Sequence, residues 1–164
     1  MSIREVFFIR HAKSSWADSS LQDIERPLNK RGLRDGPFMA QKLREVRANI
    51  DVALISPAKR AMATFDFFSE EIEFKETRID RRIYHAWPDQ LIRILTELDE
   101  DVTSAVVFGH NPGFTDVYNT FAKAPISNLP TCGIFQLICS STWDDMDTTN
   151  TESGHLLYPK MYVR

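Results

Sequence analysis

The chain lacks the features that would assign it to a special class. It has no apolar run near the roughly 20 residues that a membrane span requires. Its opening, from Met1 to Arg10, has neither the apolar stretch nor the small-residue cleavage site of a secretory leader. Two cysteines among 164 residues exclude a disulfide-built scaffold. Cys132 and Cys139 fall in or beside one apolar run, where a bond between them is geometrically awkward, so they read as packed thiols. Six glycines and eight prolines exclude collagen-like and low-complexity chains. Basic residues are not in excess: 20 Lys and Arg stand against 23 Asp and Glu, a formal charge of -3, which argues against a nucleic-acid partner. The four histidines, His11, His85, His110 and His155, are scattered without a close ligand pair, so a metal site is not expected. A hydrophobic fraction of 43% and this length predict one packed domain over residues 1–164, cytoplasmic and without membrane association.

Short apolar runs punctuated by caps organise the chain. Glu5 to Ile9 is nearly continuous in apolar residues, as a strand covered on both faces must be, and it stops at Arg10 and His11. Val52 to Ile55 is a second run, followed by Ser56 and Pro57, a pairing that suits a helix N-cap and first position. Ala58, Ala61, Phe65 and Phe68 then recur at helical spacing. Ala105 to Phe108 is a third run, and Asn111 and Pro112 repeat the capping pattern ahead of Phe114, Val117, Tyr118 and Phe121. Leu91, Ile94, Leu95 and Leu98 predict another helix. The segment from Asn29 to Arg47 contains Gly32, Gly36 and Pro37, which predicts a kinked or late-starting helix. Ile134 to Cys139 and His155 to Tyr158 read as later strands, separated by a polar loop from Ser140 to Gly154.

Strand, turn and helix recurring in this order predict an α/β fold, a three-layer sandwich with a largely parallel central sheet and helices on both faces. Ligands of such sheets collect at the carboxyl ends of the strands. Arg10, His11, Arg60 and His110 all fall at such ends or in the helical turn that follows. Two guanidinium groups in one pocket are built for a phosphate or carboxylate, and two helix amino termini add to the same field. A histidine there is a nucleophile when one ring nitrogen is unprotonated, which its ordinary pKa of about 6.5 permits. Attack of His11 on phosphorus would give a phosphohistidine, with Arg10, Arg60 and His110 as fixed donors to the transferring group and no need for a metal.

Arg10-His11-Ala12 after the first strand, Ser56-Pro57 through Arg60 and Ala61 after the second, and Gly109-His110-Asn111-Pro112-Gly113 after a later one together resemble the histidine phosphatase superfamily, the phosphoglycerate mutase-like fold. The order of RHAKSSWAD, ERPLNKRG and SPAKRAMAT is similar to the short phosphohistidine phosphatases of the SixA branch. The resemblance implies that His11 is the phosphorylated nucleophile, that Arg10 and Arg60 bind the phosphoryl oxygens, that His110 completes the pocket, and that Arg26 lies near the substrate mouth. It implies no cofactor. Ala12 replaces the superfamily's usual glycine. In larger members a carboxylate protonates the leaving group, whereas this chain offers Ile83-Tyr84-His85-Ala86 there. His85 could act as an imidazolium donor at the substrate mouth, with Asp18 and Asp89 as weaker candidates, so the donor is unassigned.

The expected function is a cofactor-independent phosphatase acting through phosphohistidine on His11, with a phosphorylated protein histidine as substrate. The alternatives are a small-molecule phosphomonoesterase acting on a small phosphate ester, and a phosphate-binding module without turnover. Trp16, close behind the nucleophile, reads as a pocket wall or core anchor. Lys30, Arg31 and Arg34 form a basic cluster that reads as a solvated face, with substrate steering as the alternative. Trp87 and Trp143 have no role that the sequence assigns.

Overall fold

The computed structural model describes residues 3–162. Along the chain run β1 (Arg4–Arg10), α1 (Lys30–Val46), β2 (Asn49–Ile55), α2 (Lys59–Ser69), β3 (Glu73–Ile79), α3 (Pro88–Thr96), β4 (Ser104–Gly109), α4 (Gly113–Phe121), β5 (Ile134–Cys139) and β6 (Thr151–Leu157). The strands form one sheet in the order β3, β2, β4, β1, β5, β6. The first four are mutually parallel, β5 runs antiparallel to β1, and β6 antiparallel to β5.

Alternation along the central strands divides the core between the two faces of the sheet. Phe8, Leu54 and Val107 pack with Leu91, Leu95, Phe114 and Val117 of α3 and α4. Phe7, Ile9, Ala53 and Phe108 pack with Met39, Leu43 and Phe68 of α1 and α2. The result is the expected helix, sheet, helix sandwich. Aromatic contacts run through it: Phe8 stacks on Phe135 at 4.8 Å and meets Phe114 edge-on at 5.1 Å. Both cysteines are buried and free.

Several local expectations are corrected. The segment with Gly32, Gly36 and Pro37 forms one helix that starts at Lys30, because the Asn29 side chain accepts a hydrogen bond from the Gly32 amide at 2.9 Å. The glycines serve close approach: a Cβ on Gly32 would collide with the Lys13 carbonyl oxygen, and one on Gly36 with the Phe67 ring. Helix α2 starts at Lys59 with Ala58 flanking it, so Ser56 and Pro57 are not its cap and first residue. Helix α4 likewise starts at Gly113, and Asn111 caps it from farther back, its Oδ1 accepting from the Thr115 amide at 3.2 Å. The polar stretch after β5 is not all loop. It holds a 3-10 turn, Trp143–Asp145, and the start of β6. Trp143 is a core residue there, its indole donating to the Val102 carbonyl at 2.7 Å.

Strand β3 has no counterpart in the sequence reading. It is an edge strand, exposed at most positions, and carries charges where buried strands carry Val and Ile. No helix among the described residues is long and apolar enough to cross a membrane.

Candidate active site

Strand register brings the two candidate histidines together. β1 and β4 pair in parallel with Arg10 opposite Gly109, so the next residue of each chain segment, His11 and His110, leaves the sheet side by side. Their ring centroids are 5.3 Å apart. β2 pairs on the other side of β4 with Ile55 opposite Phe108. That register sets Ser56 beside His110, with Ser56 Oγ 2.7 Å from His110 Nε2. One turn later α2 delivers Arg60, which is buried. Thr64 ties this helix to the nucleophile's loop, its hydroxyl accepting from the Ala12 amide at 2.9 Å and donating to the Arg60 carbonyl at 2.7 Å.

His11 is held in one tautomer. Its Nδ1 lies 2.7 Å from the Ala12 carbonyl oxygen, which can only accept, so Nδ1 carries the proton and Nε2 presents a lone pair. Arg60 Nε donates to that lone pair across 3.3 Å. Burial pushes the His11 pKa down to about 3, and the charges of Arg60, Arg10 and Arg26 add to the shift against the opposing Ala12 bond. His110 is pushed down to about 2, by burial first and then by His11 and Arg60. Both rings are therefore neutral at pH 7. Arg10 donates to the Leu129 carbonyl at 2.8 Å, while its buried Nε has no hydrogen-bond partner in the protein.

Sequence reasoning missed the residue that joins these groups. Asp23 lies in a 3-10 turn, Asp23–Glu25, and its carboxylate accepts from Tyr84 at 2.6 Å, from Arg60 Nη2 at 3.0 Å and from Arg26 Nε at 3.1 Å. Its backbone carbonyl accepts from Arg60 Nη1 at 2.7 Å. Burial raises the Asp23 pKa, but the hydrogen bonds from Tyr84 and Arg60, the Arg60 charge and the Arg26 bond outweigh it and hold the carboxyl well below the usual range. Asp23 is thus ionised at working pH and is no proton donor. The signal that could have found it is the spacing Asp-x-x-Arg ahead of Pro27-Leu28, which puts a carboxylate within reach of Arg26.

Arg26 reaches the site through Asp23. Its other donors go to Ser14 Oγ at 2.7 Å and the Ser15 carbonyl at 3.3 Å, and its guanidinium lies over the Trp16 ring at 3.5 Å. Trp16 is 73% exposed, which corrects its reading as a core anchor. His85 Nε2 is 3.6 Å from Asp23 Oδ2 and its side chain is 66% exposed. The weaker donor candidates lie elsewhere: Asp18 bonds to Ser20, and Asp89 to the Gln90 amide in the first turn of α3. Arg31 and Arg34 of the basic cluster lean on Asp35 at 3.5 Å each.

Beside Arg60 and His110 opens a cavity of about 270 Å³ whose walls include His85, Trp87, Asn111 and Asp116. Trp87, 73% exposed, stands at its mouth. Among the described residues no group of three or more His, Cys, Asp or Glu could hold a metal ion.

A neutral histidine whose Nε2 accepts from a guanidinium group, at the carboxyl ends of parallel strands, makes this edge the candidate phosphate pocket. Residues 6–85 match the family model of the histidine phosphatase superfamily (branch 1). The chain is 28% identical over 156 residues to the uncharacterized protein ML1117 of Mycobacterium leprae, covering 88% of this chain and 95% of that one. Its fold is that of the SixA protein of Nakamurella multipartitia, with a TM-score of 0.82 at 20% identity over 97% of this chain and 98% of that one. SixA from Agrobacterium tumefaciens gives 0.79 at 22% identity over 95% and 98%.

Proposed function

We propose that this phosphatase works through a phosphohistidine on His11 and removes phosphate from phosphohistidine in a protein. The observation that carries the reading is the state of His11: proton on Nδ1, lone pair on Nε2, and three cations around it.

In the proposed reaction Nε2 of His11 attacks phosphorus in line, and the bond from phosphorus to the leaving nitrogen breaks with its electron pair returning to that nitrogen. Arg60 Nε turns from the histidine to a phosphoryl oxygen, while Asp23 keeps the far side of the guanidinium in place. Arg10 and His110 supply further donors. Such fixed donors contribute roughly 3 to 4 kcal/mol each to transition-state stabilisation when well aimed. Water then adds to phosphorus, the bond to Nε2 breaks, and the water proton leaves on the inorganic phosphate. Arg26 acts by fixing Asp23 and the segment from Ser14 to Trp16, and His85 lies where a leaving group departs.

The test is turnover of a phosphorylated phosphotransfer domain against small phosphate esters, with His11→Ala alongside. Phosphate release from the protein substrate, lost in the variant, is expected. Turnover of esters alone would reject the protein substrate and favour the small-molecule phosphomonoesterase. A wild-type rate equal to that of the variant would leave a binding module.

A further inference from the structure

We infer that the cavity beside Arg60 is the leaving-group subsite and that its charge selects neutral or cationic leaving groups, with a protonated phosphoimidazole as the best fit. The inference rests on phosphoryl transfer to His11 as proposed above.

The charges of the pocket set the limit. Arg60 donates to His11, the charges of Arg10 and Arg26 also act on that ring, both histidines are neutral, and Asp23 bonds two of the guanidinium groups. Three cations against one carboxylate leave two positive charges, which match a phosphoryl dianion. Any further negative charge on the substrate goes uncompensated.

The cavity beyond is not built for an anion. Among the described residues that line it, Arg60 is the sole Lys or Arg, and Asp116 is the sole carboxylate. Asp23 stands directly behind two of its walls, 3.0 Å from Arg60 and 3.6 Å from His85. Trp87 adds an aromatic face suited to a flat ring or a cation. A ring of imidazole size that carries a proton on its far nitrogen meets the Asp116 carboxylate and an indole there.

This arrangement also relieves the need for a protein acid. When the substrate ring is protonated on the nitrogen away from phosphorus, breaking the phosphorus to nitrogen bond returns the electron pair to the ring, and imidazole departs neutral. One imidazole exchanges for another on the phosphoryl group, and no proton has to be delivered during the step. An alkoxide has no such route. A sugar phosphate, whose leaving group is a neutral alcohol, loses on the proton, and phosphoglycerate, whose leaving group is acidic, loses on both counts.

Three aryl phosphates matched in phenol acidity, bearing a trimethylammonium, a neutral or a carboxylate substituent, test the selection at one fixed ionic strength. The expected order of kcat/KM is cationic, neutral, anionic, with steps on the order of fivefold for each nearby carboxylate. Asp116→Asn, on an exposed helical turn, narrows the spread, and Asp23→Asn narrows it further whatever it does to the absolute rate. A flat or inverted series in the wild type, with phosphoenzyme still forming on His11, overturns the selection and leaves the proposed function standing. Absence of phosphoenzyme with all three esters overturns both.

Discussion

Arg60 Nε donates to Nε2 of His11 across 3.3 Å, so the atom assigned to attack phosphorus serves as an acceptor in the resting protein. The same contact places a cation against a buried ring and keeps it neutral. In the proposed reaction, substrate binding exchanges one acceptor for another on Arg60, and it requires no proton to leave His11.

A pH dependence follows from the two histidines. Their pKa values fall from 6.5 in the unfolded chain to about 3 for His11 and about 2 for His110, through burial and nearby charge. The unfolded chain binds protons that the folded one refuses, so this contribution to stability is fully present above pH 6.5 and is lost as pH falls toward 3. The slope is up to roughly 1.4 kcal/mol per pH unit for each histidine. Urea unfolding between pH 7 and 4 should show it, and His110→Asn should reduce the slope while the wild type keeps it.

Thr64 links the loop of the nucleophile to the helix of Arg60. Thr64→Val keeps the shape but leaves the Ala12 amide without its acceptor in the core. A loss of about 1 to 3 kcal/mol is expected in chemical denaturation, accompanied by a fall in kcat larger than the change in KM.

Gly32 tests how closely α1 approaches the segment after His11. Alanine is the better helix former by roughly 1 kcal/mol, yet its Cβ would meet the Lys13 backbone, which no rotamer relieves. Gly32→Ala should destabilise by about 2 kcal/mol or more, measured by thermal or urea unfolding, whereas a net gain would mean that the two segments lie farther apart.

His85 separates the two kinds of leaving group. It lies 3.6 Å from Asp23 and at the wall of the cavity, and the proposed reaction makes it the donor to an alkoxide. His85→Ala is expected to slow esters more than phosphohistidine. Equal slowing of both, in parallel assays of released phosphate, would remove it as a donor.

The legible part of the molecule was the part governed by burial. Parallel strands covered on both faces must be continuous apolar runs, so β1, β2 and β4 end visibly where His11, Ser56 and His110 follow, and the fold carries those ends to one edge. Glu73–Ile79 escaped because an edge strand pairs its backbone on one side alone and leaves its side chains in water. Ser56 illustrates a different limit. A serine before a proline reads as a helix cap, and only the register of β2 against β4 reveals that its hydroxyl meets His110. Asp23 was hidden in a stretch without periodicity, since a lone aspartate in a turn has the sequence signature of a solvated surface, and the side chains it joins come from residues 26, 60 and 84.

The stereochemical course at phosphorus tests the central claim most directly. Transfer to His11 followed by transfer to water is two in-line displacements, so a thiophosphoryl substrate made chiral with two oxygen isotopes and hydrolysed in water labelled with the third should give inorganic thiophosphate with net retention of configuration. Net inversion would mean that water attacks the substrate itself and that His11 never carries the phosphoryl group.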